Sequence, residues 1–177
     1  NVFKAKGVPC YEADLASRKL IDSDPFLISE IKKIFGSEIY LDAKLDRKKV
    51  ADIVFNSPEK LKQLNALVHP VVAADFDEFL THQKSHYVIK EAAILFESNS
   101  NIGLDAVICV CANEEIRISR IKKRDNKNQE EIKLIISRQL RQEEKENLSD
   151  YKIINDGKSS LLLQIDKILI DLKKVSY

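Results

Sequence analysis

An unbroken apolar run constrains the fold of this chain more than any other feature. It lies within Asp105–Cys111, where Asp105 is followed by Ala-Val-Ile-Cys-Val-Cys. Such a run is typical of a strand in a parallel sheet that helices cover on both faces, because neither face of the strand carries polar side chains. Shorter strand-like segments occur at 8–14, at 87–96 with a break at Lys90-Glu91, and at 151–155. Strands that alternate with helices predict an α/β fold with a three-layer sheet.

Helical signals follow one another between the first two of these strand segments. Asp24-Pro25, Asp46 and Ser57-Pro58 each place an N-cap residue before an apolar periodic pattern, and they predict helices that start at residues 25, 47 and 58. No strand is expected among these helices, so they are predicted to form an insertion between two strands of the sheet. Later helices are predicted over 114–123, from 129 to about 147, and after Gly157 through Leu172.

The composition argues against several classes of protein. The 177 residues carry a net charge of +1 with acids and bases interspersed, so charge alone gives no reason to expect a nucleic acid partner. No run of about 18 apolar residues exists, and no membrane span is expected. Cys10, Cys109 and Cys111 lack the spacing of zinc ligands, so they predict no metal site. Free thiols of this kind fit the reducing cytoplasm.

The segment from Asn65 to Val72, Asn-Ala-Leu-Val-His-Pro-Val-Val, places a proline inside a predicted helix. An interior proline removes a backbone hydrogen bond and costs about 3 kcal/mol or kinks the helix. A requirement other than helix stability is therefore expected at this segment. It closely resembles the Asn-Ala-Leu-Leu-His-Pro segment of dephospho-CoA kinases, the P-loop enzymes that phosphorylate the ribose 3′-hydroxyl of dephospho-CoA.

The glycine-rich loop of a P-loop kinase, Gly-x-x-x-x-Gly-Lys-[Ser/Thr], is not found in this sequence. The four glycines, Gly7, Gly36, Gly103 and Gly157, lie too far apart to form it. The segment from Asn1 to Gly7 is similar to the turn after the P-loop helix in this family, with a glycine C-cap. The resemblance implies a first strand, the P-loop and the first helical turns, roughly 20 residues, upstream of Asn1.

The resemblance extends from Asn1 to about Lys174 and implies an activity and a domain plan. The chain is expected to transfer a phosphoryl group from ATP, with Mg²⁺, to dephospho-CoA, and so to form coenzyme A and ADP in the cytoplasm. A P-loop NTPase-type sheet core is expected over 1–14, 84–125 and 146–177, a helical acceptor domain over 15–83, and a helical lid over 126–145. No signal for the oligomeric state exists in the sequence.

Asp14 is the candidate catalytic residue. Glu12-Ala13-Asp14 resembles the Asp-Ala-Asp signature of the family, with glutamate in place of the first acid. Asp14 also follows a predicted strand, at the carboxyl edge where ligands bind in open α/β sheets. Transfer to a hydroxyl needs a carboxylate that orients the nucleophile and accepts its proton, and the resemblance implies this role for Asp14. The alternative is a helix N-cap or a solvated turn acid.

Arg120, Arg124 and Arg141 are candidate ATP phosphate ligands. Arg120 and Arg124 lie four residues apart on one helix face and match the family's Arg-x-x-x-Arg-Asp, which opens its lid. Guanidinium forks suit the charge spread over a transferring phosphoryl group. Arg141 lies in Gln139 to Lys145, which resembles the far side of that lid, although many relatives carry arginine at the position of Gln142. A one-residue shift turns a helical side chain by about 100°. A solvated charged helix face is the alternative.

Substrate contacts are expected from Asn65, His69 and Glu97, and an ATP contact from Asn155. Asn65 and His69 share one helix face, and a bend at Pro70 would direct them toward the acceptor; the alternative is an ordinary core or surface histidine. Glu97 ends a segment that resembles the family's Leu-Leu-Phe/Val-Glu. It is expected to contact the substrate, and the alternative is that it caps the next turn. Asn155 follows the last strand, where related nucleotide kinases bring backbone near adenine, and a plain Asp-Gly turn is the alternative.

Two other functions are compatible with these patterns. The first is another P-loop nucleoside or nucleotide kinase, which the Asn-x-x-x-His-Pro helix and the size of the insertion disfavour. The second is a catalytically inactive module that binds nucleotide or coenzyme A and has lost its P-loop. A glycine-rich loop upstream of Asn1 would favour the enzyme, and a gene that begins near Asn1 would favour the inactive module.

Overall fold

The computed structural model describes residues 2–125 and 128–175, and the chain divides into two compact units. We name Gly7–Ala92 the helical unit, and we name Asn1–Lys6 together with Ala93–Tyr177 the split unit. Helices and strands are numbered along the whole chain. The domain boundaries expected from sequence remain a prediction.

A short parallel strand pair and four helices build the helical unit. Strand β1 pairs with β4 in parallel, with Tyr11 opposite Lys90. The elements in chain order are β1 Cys10–Glu12, α2 Ala13–Ser23, α3 Pro25–Phe35, β2 Tyr40–Leu41, β3 Lys44–Leu45, α4 Arg47–Phe55, α5 Pro58–Thr81 and β4 Ile89–Glu91.

The helix starts predicted from Asp24, Asp46 and Ser57 are confirmed. Each side chain accepts a hydrogen bond from the backbone N–H three residues later, at 2.8, 3.0 and 3.4 Å respectively. Such caps satisfy N–H groups that the first helical turn leaves without partners. Helix α5 continues through Pro70 from Pro58 to Thr81.

The expectation that no strand lies among the inserted helices is wrong. Strands β2 and β3 form an antiparallel hairpin between α3 and α4. Its two-residue loop is Asp42-Ala43, at φ values of 48° and 62°. Positive φ at both loop positions matches the twist of a tight hairpin, and such loops usually contain Asn-Gly or Asp-Gly. Alanine rarely adopts a positive φ, so Asp42-Ala43 gave no hairpin signal in the sequence.

Apolar side chains from α3, α4, α5, β3 and the short 3₁₀ helix Ser37–Ile39 form the core of the helical unit. They are Leu27, Ile31, Phe35, Ile39, Leu45, Val50 and Val68. Leu27, Ile31 and Ile39 are fully buried. This core fixes α5 against α3 and α4 and thereby the position of its candidate residues.

A second parallel strand pair lies in the split unit. Strand β5 pairs with β6, with Cys111 opposite Ile154 at their carboxyl ends. Ile153, Ile165 and Ile168 form a core where helix α9 packs against β6, joined by Val2 and Phe3 of α1. The elements are α1 Val2–Ala5, β5 Ile108–Cys111, α6 Glu114–Asp125, α7 Gln129–Ser137, α8 Gln142–Asn147, β6 Tyr151–Ile154 and α9 Leu161–Val175.

The predicted strand over 92–96 is wrong. The strand occupies Ile89–Glu91, which includes the charged pair expected to interrupt it. Residues 93–103 form turns, in which the Ser98 N–H donates to the Ile94 carbonyl at 3.1 Å. A short apolar run does not distinguish strand from turn or helix, and here the chain closed hydrogen bonds locally.

The single helix predicted from 129 to about 147 is also wrong. Helix α7 ends at Ser137 and α8 begins at Gln142. Between them the Leu140 N–H donates to Glu97 Oε1 at 2.7 Å. A carboxylate distant in sequence thus takes a backbone N–H that a continuous helix would use.

The two parallel strand pairs and their helices confirm an α/β fold. None of the helices in residues 2–125 and 128–175 combines the length and apolar character needed to cross a membrane. Asn1, the first residue of the segment that resembles the turn after the P-loop helix, and Asn126, the first residue of the expected lid, both fall outside the described residues.

Candidate functional site

Asp14 lies in the first turn of α2, directly beyond the carboxyl end of β1. Its side chain is exposed, and no hydrogen bond or ion pair joins it to another residue in the described part of the chain. The N-cap of α2 is Glu12. The alternative that Asp14 is a cap is therefore wrong, and its carboxylate is available to a ligand.

Tyr11 connects β1 to α5, and sequence reasoning missed it. Its hydroxyl donates to Asp75 Oδ2 at 2.7 Å and lies 3.2 Å from the Val72 carbonyl oxygen. Its ring centroid lies 5.0 Å from that of Phe76 and 5.4 Å from that of Phe79. In the sequence Tyr11 reads as one more apolar strand residue, and only the polar partner on a distant helix distinguishes it.

Asn65 and His69 lie on the face of α5 that Tyr11 contacts. Residues 65, 69, 72, 76 and 79 recur at helical spacing and so share one face. Helix α5 leads through residues 82–88 into the start of β4, so its N-terminal part extends toward the carboxyl ends of β1 and β4. Asn65 and His69 precede Val72 by about 10 and 5 Å along the axis, at about 1.5 Å per residue. This direction is the one in which Asp14 follows β1.

The side chains of Asn65 and His69 are half-buried. Among residues 2–125 and 128–175, neither has a hydrogen-bonding partner. Burial lowers the pKa of the His69 imidazole below its usual value of 6.5. A neutral imidazole has one donor and one acceptor nitrogen, which suits a neutral hydroxyl or amide ligand.

Arg120 and Asn155 are brought together by the structure. Arg120 Nη1, on α6, donates to the Asn155 carbonyl oxygen just beyond β6 at 2.9 Å. The Asn155 N–H in turn donates to the Cys111 carbonyl oxygen at 2.7 Å, which holds the two strand ends together. One guanidinium therefore lies over the carboxyl edge of the β5–β6 pair.

Arg124 and Arg141 each bind a carboxylate on their own helix. Arg124 makes a bidentate contact with Asp125, at 2.7 and 2.8 Å. Arg141 Nη2 donates to Glu144 Oε1 at 2.8 Å. This contact raises the pKa of Arg141 and lowers that of Glu144. The Arg124 and Arg141 side chains are 76% and 80% exposed, so both ion pairs are open to solvent.

Glu97 joins two segments of the split unit. Besides the Leu140 N–H, its Oε1 lies 3.5 Å from Lys145 Nζ, and the two side chains are 18% and 16% exposed. Lys145 also donates to Gln139 Oε1 at 3.0 Å. Glu97 thus orders the segment before α8, and its role as a substrate contact stays a prediction.

A cavity of about 410 Å³ opens at the carboxyl ends of β5 and β6. Its polar walls come from α6, α8 and the turn after β6, and its floor from the strand ends. The residues that line it are Cys111, Ala112, Asn113, Glu114, Arg117, Gln142, Glu146, Ile154 and Asp156. Burial and the neighbouring Cys109 raise the pKa of the Cys111 thiol to about 12, so this thiol is not a nucleophile.

Arg117 and Gln142 line this cavity, and neither was singled out as a ligand from the sequence. Arg117 Nε is buried, and no acceptor among the described residues reaches it. Gln142 Nε2 donates to Glu146 Oε1 at 3.2 Å. Gln142, the first residue of α8, lines the cavity, whereas Arg141, its non-helical N-cap, does not.

Asp156 closes the cavity on the side of the last strand. Its carboxylate accepts the backbone N–H groups of Ser159 at 2.7 Å and Lys158 at 2.8 Å. These hydrogen bonds lower its pKa, so Asp156 is ionised at neutral pH. Groups of three or more His, Cys, Asp or Glu side chains that could hold a metal ion are absent from residues 2–125 and 128–175.

Comparisons with known proteins agree on one family. The family model of dephospho-CoA kinase (CoaE) matches residues 1–160. A dephospho-CoA kinase from Bacteroides fragilis is 32% identical over 179 aligned residues, which cover 100% of this chain and 87% of that protein. One from Leptospira interrogans is 37% identical and covers 89% of this chain and 77% of that protein.

Two solved structures share the fold of this chain. TT1252 from Thermus thermophilus superimposes with a TM-score of 0.85 and 28% identity, over 96% of this chain and 86% of that one. A dephospho-CoA kinase from Campylobacter jejuni gives a TM-score of 0.67 and 26% identity, over 99% and 90% of the two chains. The fold, the sequence relatives and the family model together show that this chain belongs to the dephospho-CoA kinase family.

Proposed function

We propose that this chain transfers the γ-phosphoryl group of ATP to the ribose 3′-hydroxyl of dephospho-CoA, which forms coenzyme A and ADP. The family match over residues 1–160 carries this proposal. The exposed carboxylate of Asp14 beyond the carboxyl end of β1 supports it, because a phosphoryl acceptor needs such a group.

Asp14 acts as the general base. Its carboxylate orients the 3′-hydroxyl and accepts the hydroxyl proton as the new oxygen–phosphorus bond forms. The bond between the γ-phosphorus and the β,γ-bridging oxygen breaks, and the bridging oxygen leaves with ADP.

Arg120, Arg124 and Arg141 bind the ATP phosphates in this proposal. Guanidinium groups stabilise the negative charge that spreads over the transferring phosphoryl oxygens. Arg120 is supported by its position over the carboxyl edge of the β5–β6 pair. Arg124 and Arg141 would exchange exposed carboxylate partners for phosphate.

The base of ATP occupies the 410 Å³ cavity beside Arg120 and Asn155. A purine presents several ring nitrogens as acceptors, and the buried Arg117 Nε still needs an acceptor. Gln142 and Asp156 add a donor and an acceptor at the cavity wall.

Asn65, His69 and Glu97 bind dephospho-CoA in this proposal. The polar atoms of Asn65 and the neutral imidazole of His69 are supported as acceptor contacts by their lack of partners in the described residues. Glu97 is the weaker assignment, since its carboxylate already bonds to Leu140 and Lys145.

We assign residues 15–83 to a helical acceptor domain, 126–145 to a helical lid and the remainder to a three-layer P-loop NTPase-type core. Helices α2 to α5 support the first assignment, and α7 with the start of α8 the second. The three free cysteines fit a cytoplasmic enzyme.

Mg²⁺ is the metal that this chemistry implies. Such an ion is held mainly by substrate phosphates and water, with one or two protein carboxylates, so a dedicated cage of protein ligands is not required. Glu12 and Asp14, at the carboxyl end of β1 and just beyond it, would provide carboxylate oxygens of the kind that Mg²⁺ prefers. When bound, the ion neutralises charge on the β- and γ-phosphates.

An activity assay on the full-length protein tests this function. Incubation with ATP, Mg²⁺ and dephospho-CoA should produce coenzyme A and ADP in equal amounts. Coenzyme A itself, whose 3′-hydroxyl is already phosphorylated, is the matched negative control. Faster phosphorylation of a free nucleoside or nucleotide would favour the rival kinase, and ATP or coenzyme A binding without turnover would favour the inactive module.

A further inference from the structure

Both the hydroxyl group and the aromatic ring of Tyr11 contact α5. The residue is 5% exposed. Its hydroxyl donates to Asp75 at 2.7 Å, and its ring packs against Phe76 and Phe79 of the same helix. A hydrogen bond to a carboxylate is roughly twice as strong as one between neutral groups. A buried donor of this kind resists displacement.

The hydroxyl remains a donor over the physiological pH range. Burial raises the pKa of Tyr11 well above its usual value of 10.0, and the hydrogen bond to Asp75 raises it further. The contact therefore does not switch with pH near neutrality.

Tyr11 belongs to a strand with little other support. Strand β1 has three residues, and its only hydrogen-bonded strand partner in residues 2–125 and 128–175 is β4. Asp14 follows Tyr11 by three residues, after the chain has passed from strand to helix. Any shift of β1 along α5 would carry Asp14 with it.

The other end of this contact lies on the helix of the acceptor residues. Asp75 belongs to α5, and the contact face of α5 also carries Asn65 and His69. Tyr11 thus joins the strand that leads to Asp14 directly to the helix that presents Asn65 and His69.

We propose that Tyr11, through its hydrogen bond to Asp75, is a positioning residue for phosphoryl transfer. It sets the distance between the Asp14 carboxylate and the α5 face that binds the acceptor, so that the 3′-hydroxyl meets its base. This inference rests on the proposed function. The ring alone would pack β1 against α5, but the phenol oxygen selects one register between them.

Tyr11→Phe tests the proposal because it removes the oxygen and keeps the ring. The kcat/KM for dephospho-CoA should fall about tenfold, since small misplacements of reacting groups have large kinetic effects. The KM for ATP should stay unchanged. Asp75→Ala should produce the same loss, and the double variant should be no worse than Asp75→Ala alone, because both changes remove one interaction. Asp75→Asn keeps an acceptor oxygen and should retain more activity than Asp75→Ala.

Tyr40→Phe is the matched control in the same unit. The Tyr40 hydroxyl donates to the Ile21 carbonyl oxygen at 2.8 Å, in the last turn of α2, and makes no hydrogen bond to α5. This variant should lower Tm as Tyr11→Phe does, yet leave both KM values and kcat unchanged.

Two results would overturn the inference. In the first, Tyr11→Phe lowers Tm but has the kinetics of Tyr40→Phe. In the second, the effects of Tyr11→Phe and Asp75→Ala add in the double variant. If Tyr11→Phe does not fold, the kinetics of Asp75→Ala against Asp75→Asn decide the same question. A wild-type protein that does not phosphorylate dephospho-CoA would instead refute the proposed function, so the two failures are distinguishable.

Discussion

In the helical unit the side chains of Asp14, Asn65 and His69 have no hydrogen-bonding or ionic partner among the described residues, whereas the candidate arginines of the split unit are all bonded to protein acceptors. Arg120 binds the Asn155 carbonyl oxygen. Arg124 and Arg141 bind carboxylates of their own helices. In the proposed function, the acceptor-binding residues are therefore free to bind a ligand, whereas Arg124 and Arg141 would have to exchange their carboxylate partners for phosphate.

Replacing the carboxylates bound to Arg124 and Arg141 costs little free energy because both ion pairs are exposed to solvent. Solvent-exposed pairs contribute only about 0–1 kcal/mol. A phosphate that accepts two parallel N–H bonds from a guanidinium offers a stronger contact. In the proposed function, the carboxylate partners would therefore hold Arg124 and Arg141 in place without preventing phosphate binding. Free polar groups in the helical unit are instead positioned by its apolar core.

The largest expected effect is that of Asp14→Asn. Turnover should fall by roughly 10² or more, because the amide keeps the shape of the side chain but loses its basicity. The KM for ATP should change little. Steady-state kinetics of the full-length enzyme measure both quantities. Asp52→Asn, at an exposed position of α4, is the control, and a near-native kcat for Asp14→Asn would return Asp14 to the role of a solvated acid.

The second-largest kinetic effect is expected for Arg120→Gln. The KM for ATP should rise by about tenfold or more, since a hydrogen bond to a charged group contributes about 1.5–3 kcal/mol. The KM for dephospho-CoA should be nearly constant. Lys122→Gln, an exposed cation on the same helix, controls for loss of charge. Equal effects of the two substitutions would mean that general charge, not a specific contact, binds ATP.

His69→Ala should raise the KM for dephospho-CoA several-fold and leave that for ATP unchanged, because acceptor binding is what it removes. His86→Ala, in the exposed loop before β4, should change neither. If His69 is only a packing residue, its removal will lower Tm and leave both KM values as they are. Measurement of Tm and both KM values on one variant separates these outcomes.

Glu144→Gln tests whether the arginines of the split unit must exchange partners. It releases Arg141 from an ion pair and keeps an acceptor oxygen for the Arg141 N–H, which donates to Glu144 Oε2 at 3.1 Å. The KM for ATP should fall by about twofold, as expected when an exposed pair no longer competes. Glu143→Gln is the neighbouring control. A raised KM for ATP would show that the ion pair orders the site instead.

The smallest effect should appear in the pH dependence of stability. The pKa of His69 in the folded chain lies below 6.5. At pH values between that folded-state pKa and 6.5, His69 therefore binds more protons in the unfolded chain than in the folded chain. The free energy of unfolding should therefore fall as pH decreases through 6.5. Urea unfolding at pH 7.5 and 5.5 measures this, and His69→Gln should reduce the difference. An unchanged difference would assign the pH dependence to other groups.

Features that depend on neighbours in sequence were predicted well. The caps at Asp24, Asp46 and Ser57 were predicted correctly because a cap involves only the next three residues. The Asn-x-x-x-His-Pro segment and the Arg-x-x-x-Arg-Asp segment indicated the family for the same reason. The β2–β3 hairpin was missed, since Asp42-Ala43 lacks the glycine that normally announces such a loop.

Features that depend on distant partners could not be predicted. The sequence by itself determined most helix starts, the parallel β5 strand and the family. Tertiary structure decided that Glu97 interrupts the helix at Leu140, that Gln142 and not Arg141 enters the cavity, and which acceptor each arginine binds. It also decided that Tyr11 meets Asp75, 64 residues away. The physical reason is that backbone propensity and capping act within a few residues, whereas a side chain's partner is set by which elements pack together.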